Sequence, residues 1–465
     1  MSGVNIQLVA YGNQDHYLTA NPQISFFKKA YRRHTNYAME PKSIPIDENI
    51  SSTDSGFGRS YSTRIPHHGD LLHKLYLEIE VQGKNTGTPS YTVGNFINSL
   101  IKTSDIKIGG FEIDRHMSQF TQIKTELTNE TSQHFIQSSD TNGGIPTDIN
   151  VYGDIGNYKI DTRERELGYS PLVFGGTVND TDYAVGNTSD KTTGLVIKRL
   201  VYNFDFWFCR DIGNSIPMSA LNNHDVELNF EIDTLNNLIG DNINIQSSSF
   251  KLSKLKLFGE YIILDGEEKR RFAQSAHEYL IEQVQYQGIE HTNDTAASDD
   301  IDETLINTSN YILNFTHPIK YITWAVVNEG TALSNKGKGP CYFVSQTTNS
   351  LYSNDAHKGT IKFQLNGRDR IAEMPTAFYT RQQPMRFTKS PSVLDRIGLY
   401  SFALKPFDLE PSGTCNMSRI HRKEMVCNFA NNKADNIKNI KLDIFAVNYN
   451  ILRITSGMAG LLFST

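Results

Sequence analysis

The chain has 465 residues, more than the roughly 250–300 at which a single hydrophobic core stops growing, so we expect two domains. Its 38% of hydrophobic residues excludes a disordered chain, and 25 Phe and 22 Tyr against 2 Trp favour β structure. The formal net charge of −6 argues against unspecific nucleic-acid binding as the main activity, but it is compatible with a coat that encloses a genome.

The cysteines and the chain ends indicate the compartment. The four cysteines form no C-x-x-C pair, which excludes zinc-ribbon and thioredoxin-type sites, and such scattered thiols are typical of a reducing compartment. Residues 1–17 lack the basic and apolar regions of a signal peptide, and the weakly polar stretch 457–465 is too short to span a bilayer. We therefore expect a soluble protein made in a cytoplasm.

The first predicted element is a short helix over residues 23–34. Asn21 before Pro22 is typical of a helix start, with the asparagine as the cap and the proline in the first turn. One side of this helix is apolar, formed by Ile24, Phe26, Phe27, Ala30 and Tyr31. The other side is basic, formed by Lys28, Lys29, Arg32 and Arg33. This basic face is either an ordinary solvated face or a docking site for an anionic membrane or an acidic protein.

Alternation of apolar and polar residues is the commonest pattern in the rest of the chain. It is clearest at 74–81, where Leu75, Leu77, Ile79 and Val81 share one face of the expected strand. The same pattern recurs at 202–208, 225–233, 255–257, 361–365 and 440–446. Half-buried strands in both halves of the chain predict antiparallel sheets packed face to face, an all-β protein.

A second helix and several polar stretches complete the predicted organisation. Asp265 with Glu268 predicts a capped helix to about Ala276, followed by a strand over 279–287. The polar stretches 128–193, 288–310 and 331–359 are expected to be exposed loops. A further polar stretch at 234–249 predicts a boundary after Asp233. The predicted domains are an N-terminal arm with a short helix (1–36), a first sandwich (37–233) and a second sandwich (234–465).

The sequence contains no recognisable catalytic motif. The sequence contains no G-x-S-x-G nucleophile elbow, no P-loop and no zincin helix. His67 and His68 are adjacent, which is the wrong spacing for metal ligands, so we expect an exposed turn there. No catalytic, cofactor-binding or metal-binding residue is predicted, and the chain is not expected to be an enzyme.

Several motifs occur in the same order as in one known family. In chain order they occupy residues 12–36, 69–81, 206–210, 216–217, 224–226, 264–273, 366–370, 383–384, 400–404, 411–414, 448–450 and 456–458. This ordered set, over nearly the whole chain, resembles the double jelly-roll major capsid proteins of nucleocytoplasmic large DNA viruses. Ala20 and His421 depart from the pattern, which has a glycine and an acidic residue at these places.

The resemblance implies two consecutive eight-stranded antiparallel jelly-roll sandwiches with a few short helices. It also implies a homotrimer that forms a pseudo-hexagonal capsomer of an icosahedral shell. The expected partners are neighbouring capsomers, minor capsid and penton proteins and an internal viral membrane, without sequence-specific binding of nucleic acid. The expected location is the virion capsid, after assembly in the host cytoplasm. The basic side chains at 28, 29, 32 and 33 would face inward, and the long loops would project outward.

Two other functions fit parts of the sequence. A β-sandwich that binds glycans, such as the attachment protein of a virion, would account for the aromatic content. A jelly-roll hydrolase would need clustered carboxylates or a metal site, which the sequence does not indicate.

Overall fold

The computed structural model describes residues 19–29, 31–46, 55–84, 90–91, 96–128, 173–174, 188–190, 195–238, 250–292, 306–328, 359–388, 397–430, 439–463. The chain divides into two compact units, residues 1–37 and residues 38–465. Most of the predicted loops at 128–193 and 331–359 lie outside the described residues. Part of the third predicted loop, 288–310, is strand, because strands begin or end at Thr292 and Ile306.

The N-terminal unit does not contain the predicted helix. Among its described residues, none between 23 and 34 is helical, and a turn occupies 26–28. Asn21 has a left-handed φ of 50°, which differs from the extended backbone of a helix cap. Phe26 and Phe27 are 90% and 100% exposed. An isolated helix of this length is marginal in water unless its apolar side is buried, so the prediction is wrong for lack of that burial.

The first sandwich consists of two antiparallel sheets. One sheet has the order β1-β12-β3-β9-β8, with β10 also paired to β3, and the other has the order β2-β11-β5-β6. A two-stranded ribbon, β4 and β7, lies apart from them. The strands are β1 Tyr37–Ile44, β2 Ser60–Arg64, β3 Leu71–Lys84, β4 Ser90–Tyr91, β5 Ile101–Ile108, β6 Phe111–Met117, β7 Val173–Phe174, β8 Thr188–Asp190, β9 Leu195–Asn203, β10 Ile216–Pro217, β11 Val226–Ile232 and β12 Lys251–Leu264.

The second sandwich repeats this strand order. Its sheets are β13-β22-β15-β19, with β20 on β15 and β23 on β22, and β14-β21-β16-β17, with β18 on β16. The strands are β13 His277–Thr292, β14 Ile306–Ile312, β15 Pro318–Asn328, β16 Thr360–Leu365, β17 Arg368–Asp369, β18 Met374–Pro375, β19 Ile397–Ser401, β20 Cys415–Asn416, β21 Lys423–Ala430, β22 Asn439–Thr455 and β23 Met458–Leu461. Apart from β8 and the short strands β10, β18, β20 and β23, each sandwich has two sheets of four strands, the eight strands expected of a jelly roll.

Helices are few and short in the described residues. They are α1 Phe96–Leu100, α2 Ser118–Thr128, α3 Trp207–Arg210, α4 Leu235–Leu238, α5 Gly266–Gln274 and α6 Gln383–Phe387, with a π-helical turn at Phe378–Gln382 and 3₁₀ turns at Ile212–Asn214, Met218–Ala220 and Met417–Arg419. Helix α5 confirms the second predicted helix, because the Asp265 carboxylate accepts from the Gly266 N–H at its start.

The cores lie between the paired sheets. Leu75, Leu77, Ile79 and Val81 are all buried in the first core, which confirms the face predicted from their alternation. In the second core the Trp324 ring lies edge-on to a phenylalanine of the opposite sheet, with 5.8 Å between ring centroids. Apolar burial of this extent is the main source of stability in sandwiches of this kind.

Strand pairing bears on the predicted boundary after Asp233. Strand β12 follows that residue in the chain, yet it pairs with β3 in the first sandwich, where Leu257 lies opposite Leu77. The polar segment at 234–249 therefore connects two strands of one sandwich. The domain division stays a prediction, and the pairing favours a division at α5.

Candidate functional site at the junction of the two sandwiches

The structure brings no catalytic constellation together in the residues it describes. Within the described ranges, no group of three or more His, Cys, Asp or Glu side chains could hold a metal ion. His67 and His68 are exposed, as predicted. A groove of about 580 Å³ between the sandwiches is lined by side chains that include Phe111, Gln283 and Phe463. No helix in the described part of the chain is long and apolar enough to cross a membrane.

The predicted basic residues lie in the N-terminal unit. The side chains of Lys28, Lys29, Arg32 and Arg33 are all exposed. They do not share a helix face, because the described residues of the segment that carries them form a turn followed by chain without regular secondary structure. Their role as an inner contact remains a prediction.

A network of charged side chains crosses the junction, by which we mean the contact between the first and second sandwiches. Arg210 on α3 of the first sandwich donates to Glu282 on β13 of the second. The same carboxylate accepts from Lys320 on β15, whose Nζ also donates to the Asp408 carbonyl at 2.9 Å. Arg210 and Glu282 are 15% and 11% exposed, and Lys320 is 1% exposed. One buried carboxylate therefore joins cations from both sandwiches.

The network continues into the first sandwich through Asp205. Arg210 Nε lies 3.3 Å from the Asp205 Oδ1, and Lys124 on α2 donates to the same carboxylate. Burial favours the neutral acid, but Lys124 and Arg210 outweigh it and lower the pKa of Asp205 to about 2. Burial and the nearby Arg210 lower the pKa of Lys124 to about 8, against the attraction of Asp205. Both partners are therefore charged at neutral pH.

Hydrogen bonds extend the junction along the edge of β13 and the end of β22. The Val284 N–H donates to the Asp114 Oδ1 at 3.0 Å, and the second oxygen of this buried carboxylate lies 2.9 Å from His116 Nε2. The Asn223 N–H donates to the Gly457 carbonyl at 3.0 Å. Hydrogen bonds to a carboxylate, such as that of Asp114, are among the stronger ones in proteins. The bond between Val284 and Asp114 connects β13 of the second sandwich to β6 of the first.

Helix α2 supplies the apolar part of the junction. Although it belongs to the first sandwich, its residues Phe120, Ile123 and Leu127 are buried against the outer face of the second sandwich. The Phe120 ring lies 5.5 Å from the Phe445 ring of β22. Burial raises the pKa of Tyr321 far above its usual range on this covered face. The two sandwiches are thus held by packing as well as by charge.

The local sequence pattern does not predict this junction. Arg210 belongs to a family motif and Glu282 to a predicted strand, and neither position is distinguished by its neighbours in the sequence. These two residues are 72 positions apart, and nothing in the local pattern indicates that they meet. A buried acidic residue within a strand is indistinguishable, in sequence, from one on a solvated face.

Two family models match the chain in succession. "Major capsid protein N-terminus" covers residues 25–265, and "Large eukaryotic DNA virus major capsid protein" covers residues 268–460. The major capsid protein of Pyramimonas orientalis virus is 33% identical, and that of Paramecium bursaria Chlorella virus 1 is 31% identical, each over 100% of both chains.

Solved structures give the same result. The crystal structure of PBCV-1 VP54, fitted into a reconstruction of the virophage Sputnik, matches with a TM-score of 0.68 and 26% identity over 95% of this chain and 100% of that chain. The Faustovirus major capsid protein has a TM-score of 0.61 at 12% identity over 96% of this chain and 94% of that chain, a likeness of fold alone. These findings confirm the double jelly-roll fold and favour the capsid interpretation over the glycan-binding and hydrolase alternatives. The chain belongs to the family of major capsid proteins of large eukaryotic DNA viruses, and it is a structural protein of the virion capsid rather than an enzyme.

Proposed function

We propose that three copies of the chain form a closed ring, a pseudo-hexagonal capsomer that tiles the outer shell of a large icosahedral DNA virus. The observation that carries the proposal is the repeated strand order, because three subunits of two similar sandwiches place six similar lobes around one axis. A closed ring of this kind requires two different contact faces on each subunit. A solved structure described as the PBCV-1 virus capsid, 27% identical to this chain, supports the assignment.

The partners in this proposal follow from the tiling. Each capsomer contacts neighbouring capsomers at its perimeter, penton proteins close the vertices, and minor capsid proteins lie beneath the shell. Assembly takes place in the host cytoplasm. The chain itself needs no cofactor and no sequence-specific contact with nucleic acid for this role.

Electron microscopy of the purified chain tests the proposal. We expect single particles with threefold symmetry and six lobes, and hexagonal arrays when the protein is concentrated. Two-lobed particles that never tile, together with saturable binding to glycans, would instead favour the attachment-protein alternative.

We also propose that the N-terminal unit contacts an anionic lipid surface on the inner side of the shell. The proposal is supported by exposed basic side chains beside exposed aromatic ones. The basic ones are Lys28, Lys29, Arg32 and Arg33, and the aromatic ones are Phe26 and Phe27. Cations are attracted to anionic headgroups, and neighbouring aromatic rings bury themselves at the boundary of headgroups and acyl chains.

Sedimentation with vesicles tests this contact. The wild-type protein should bind vesicles made of a mixture of phosphatidylserine and phosphatidylcholine, and it should bind them more weakly at high salt. It should not bind vesicles of pure phosphatidylcholine. Replacing the four basic residues with Gln should abolish binding. A control with the same charge change replaces exposed cations of the second unit, namely Lys254, Arg270, Arg271 and Lys405. A wild-type protein that ignores anionic vesicles would refute the lipid contact, and an acidic minor capsid protein would become the alternative partner.

A further inference from the structure

The two sandwiches correspond residue by residue along their central strands. In the first, Ile216 of β10 pairs with Leu72 of β3. In the second, Cys415 of β20 pairs with Ile319 of β15. Since the strand orders are also the same, β3 and β15 can be aligned at Leu72 and Ile319.

This alignment relates the outer faces of the two sandwiches. Four residues further along each strand, Tyr76 corresponds to Thr323. Tyr76 lies opposite Phe258 on β12, and Thr323 lies opposite Phe445 on β22. Phe258 and Phe445 are therefore equivalent positions on the outer faces of the two sandwiches.

The two faces differ in what covers them. Phe445 is fully buried because Phe120 of α2 packs on it. Phe258 is only half-buried and stacks on Tyr76, with 5.2 Å between the ring centroids. Beside them on the first sandwich, the Lys74 side chain is 54% exposed. The first sandwich thus presents an aromatic face that is partly exposed to solvent. The equivalent face of the second sandwich is covered by α2.

The second sandwich carries the elements that would close such a face. Helix α6 and the preceding π-helical turn lie between β18 and β19. In the first sandwich, α2 occupies the equivalent position in the chain, between β6 and β9. Met385 on α6 is 68% exposed. The loop after β19, equivalent to the segment that carries α3, bears Leu404 at 74% exposure. Beyond residue 37, these two are the most exposed large apolar side chains that the structure describes.

We infer that α6 and the Leu404 loop of one copy dock onto the Tyr76–Phe258 face of the next copy, repeating between copies the contact that α2 makes within the chain. The inference rests on the proposed trimer and names its two contact faces. The charges agree with it, because exposed Arg386 on α6 would approach Glu78, which lies two residues from Tyr76 on the receiving face. The contact is heterologous, so each copy uses one face as donor and the other as receiver.

The test uses one variant of each face in the full chain. Met385→Glu places a charge on the docking helix, and Tyr76→Glu places one of the same sign on the receiving face. Ile312→Glu is the matched control, since Ile312 is 58% exposed on β14 and belongs to neither face. By light scattering, the wild type and the control should have three times the 52.5 kDa mass of one chain, and each variant should be a monomer with an unchanged circular dichroism spectrum.

Mixing the two variants gives the sharpest result. The mixture contains one intact helix and one intact receiving face, so it should form dimers of twice the monomer mass and no trimers. If Met385→Glu disturbs the fold by circular dichroism, Leu404→Glu in the neighbouring loop takes its place. Variants that stay trimeric, or a mixture that stays monomeric, would overturn the inference. A wild type that is itself monomeric would overturn the proposed trimer first.

Discussion

Replacing Glu282 with Ala removes the carboxylate that joins the two sandwiches. The side chain is 11% exposed and accepts from Arg210 and Lys320, which are themselves buried. Loss of one partner from a buried ion pair costs about 3–5 kcal/mol, because an uncompensated charge remains. In the variant, Arg210 still has Asp205 as a hydrogen-bond partner, and Lys320 still has the Asp408 carbonyl. We therefore expect the lower end, a loss of about 3 kcal/mol in the free energy of unfolding.

A second acidic residue of the same strand provides the control. Glu278 pairs with Arg453 at 3.5 Å, but these side chains are 58% and 53% exposed. An exposed pair of this kind contributes about 0–1 kcal/mol, so Glu278→Ala should be nearly neutral.

The assay is urea denaturation followed by tryptophan fluorescence, with all proteins at one concentration because association adds to the apparent stability. Both tryptophans are buried, one in each sandwich, so fluorescence reports on both cores. If Glu282→Ala costs no more than Glu278→Ala, the junction does not depend on the buried network and the reasoning is refuted.

Three further predictions concern the junction and the cores, and chemical denaturation measures each of them. The pKa of Asp205 is about 2 in the folded protein, against 3.8 ordinarily, so its ionised carboxylate stabilises the fold fully above pH 4 and ceases to do so as the pH falls towards 2. The difference in unfolding free energy between wild type and Asp205→Asn should therefore shrink over that range. A difference that stays constant with pH would contradict this prediction. Phe120→Ala should lower the free energy of unfolding by about 3–5 kcal/mol, because the ring is 1% exposed and packs on the second sandwich. A loss below about 1 kcal/mol would refute that packing. A Cβ at Gly398 would clash with the buried Trp324 ring, so Gly398→Ala should lower the free energy of unfolding by about 1–3 kcal/mol. The control Gly460→Ala should be tolerated, because no atom lies within 4 Å of the added Cβ. Equal losses of stability in the two variants would count against the clash.

The strands and one helix could be predicted from local patterns. The alternation from Leu75 to Val81 reports which side of a strand is buried, and a sheet with one face in the core enforces that pattern. Asp265 likewise marks the start of α5 through a hydrogen bond made within the same few residues. In both cases the determining interaction is local or periodic, so the sequence alone displays it.

The remaining features depend on contacts that are distant in the sequence. The helix expected at 23–34 was wrong because periodicity does not reveal whether an apolar side finds a partner, and Phe27 is fully exposed. The junction was missed because Glu282 meets Arg210 and Lys320 only after two sandwiches have formed. The polar segment after Asp233 was interpreted as a linker, whereas the strand that follows it returns to the first sandwich. Jelly-roll topology places the last strand of a sandwich beside early ones, and no local pattern encodes this.

The repeated strand order and the buried junction suit a shell subunit. A network of charges and hydrogen bonds joins the two sandwiches across the junction, and charge-assisted bonds add geometric specificity to such a contact. A subunit whose two lobes keep a fixed angle presents the same two faces to every neighbour. Closed rings need this constancy, since an error in the angle accumulates around the ring.

The native mass of the purified chain tests the central claim most directly. Light scattering coupled to size exclusion should give three times 52.5 kDa, independent of concentration over the measured range. A stable monomer at every concentration would contradict the claim that the chain alone forms the three-subunit capsomer.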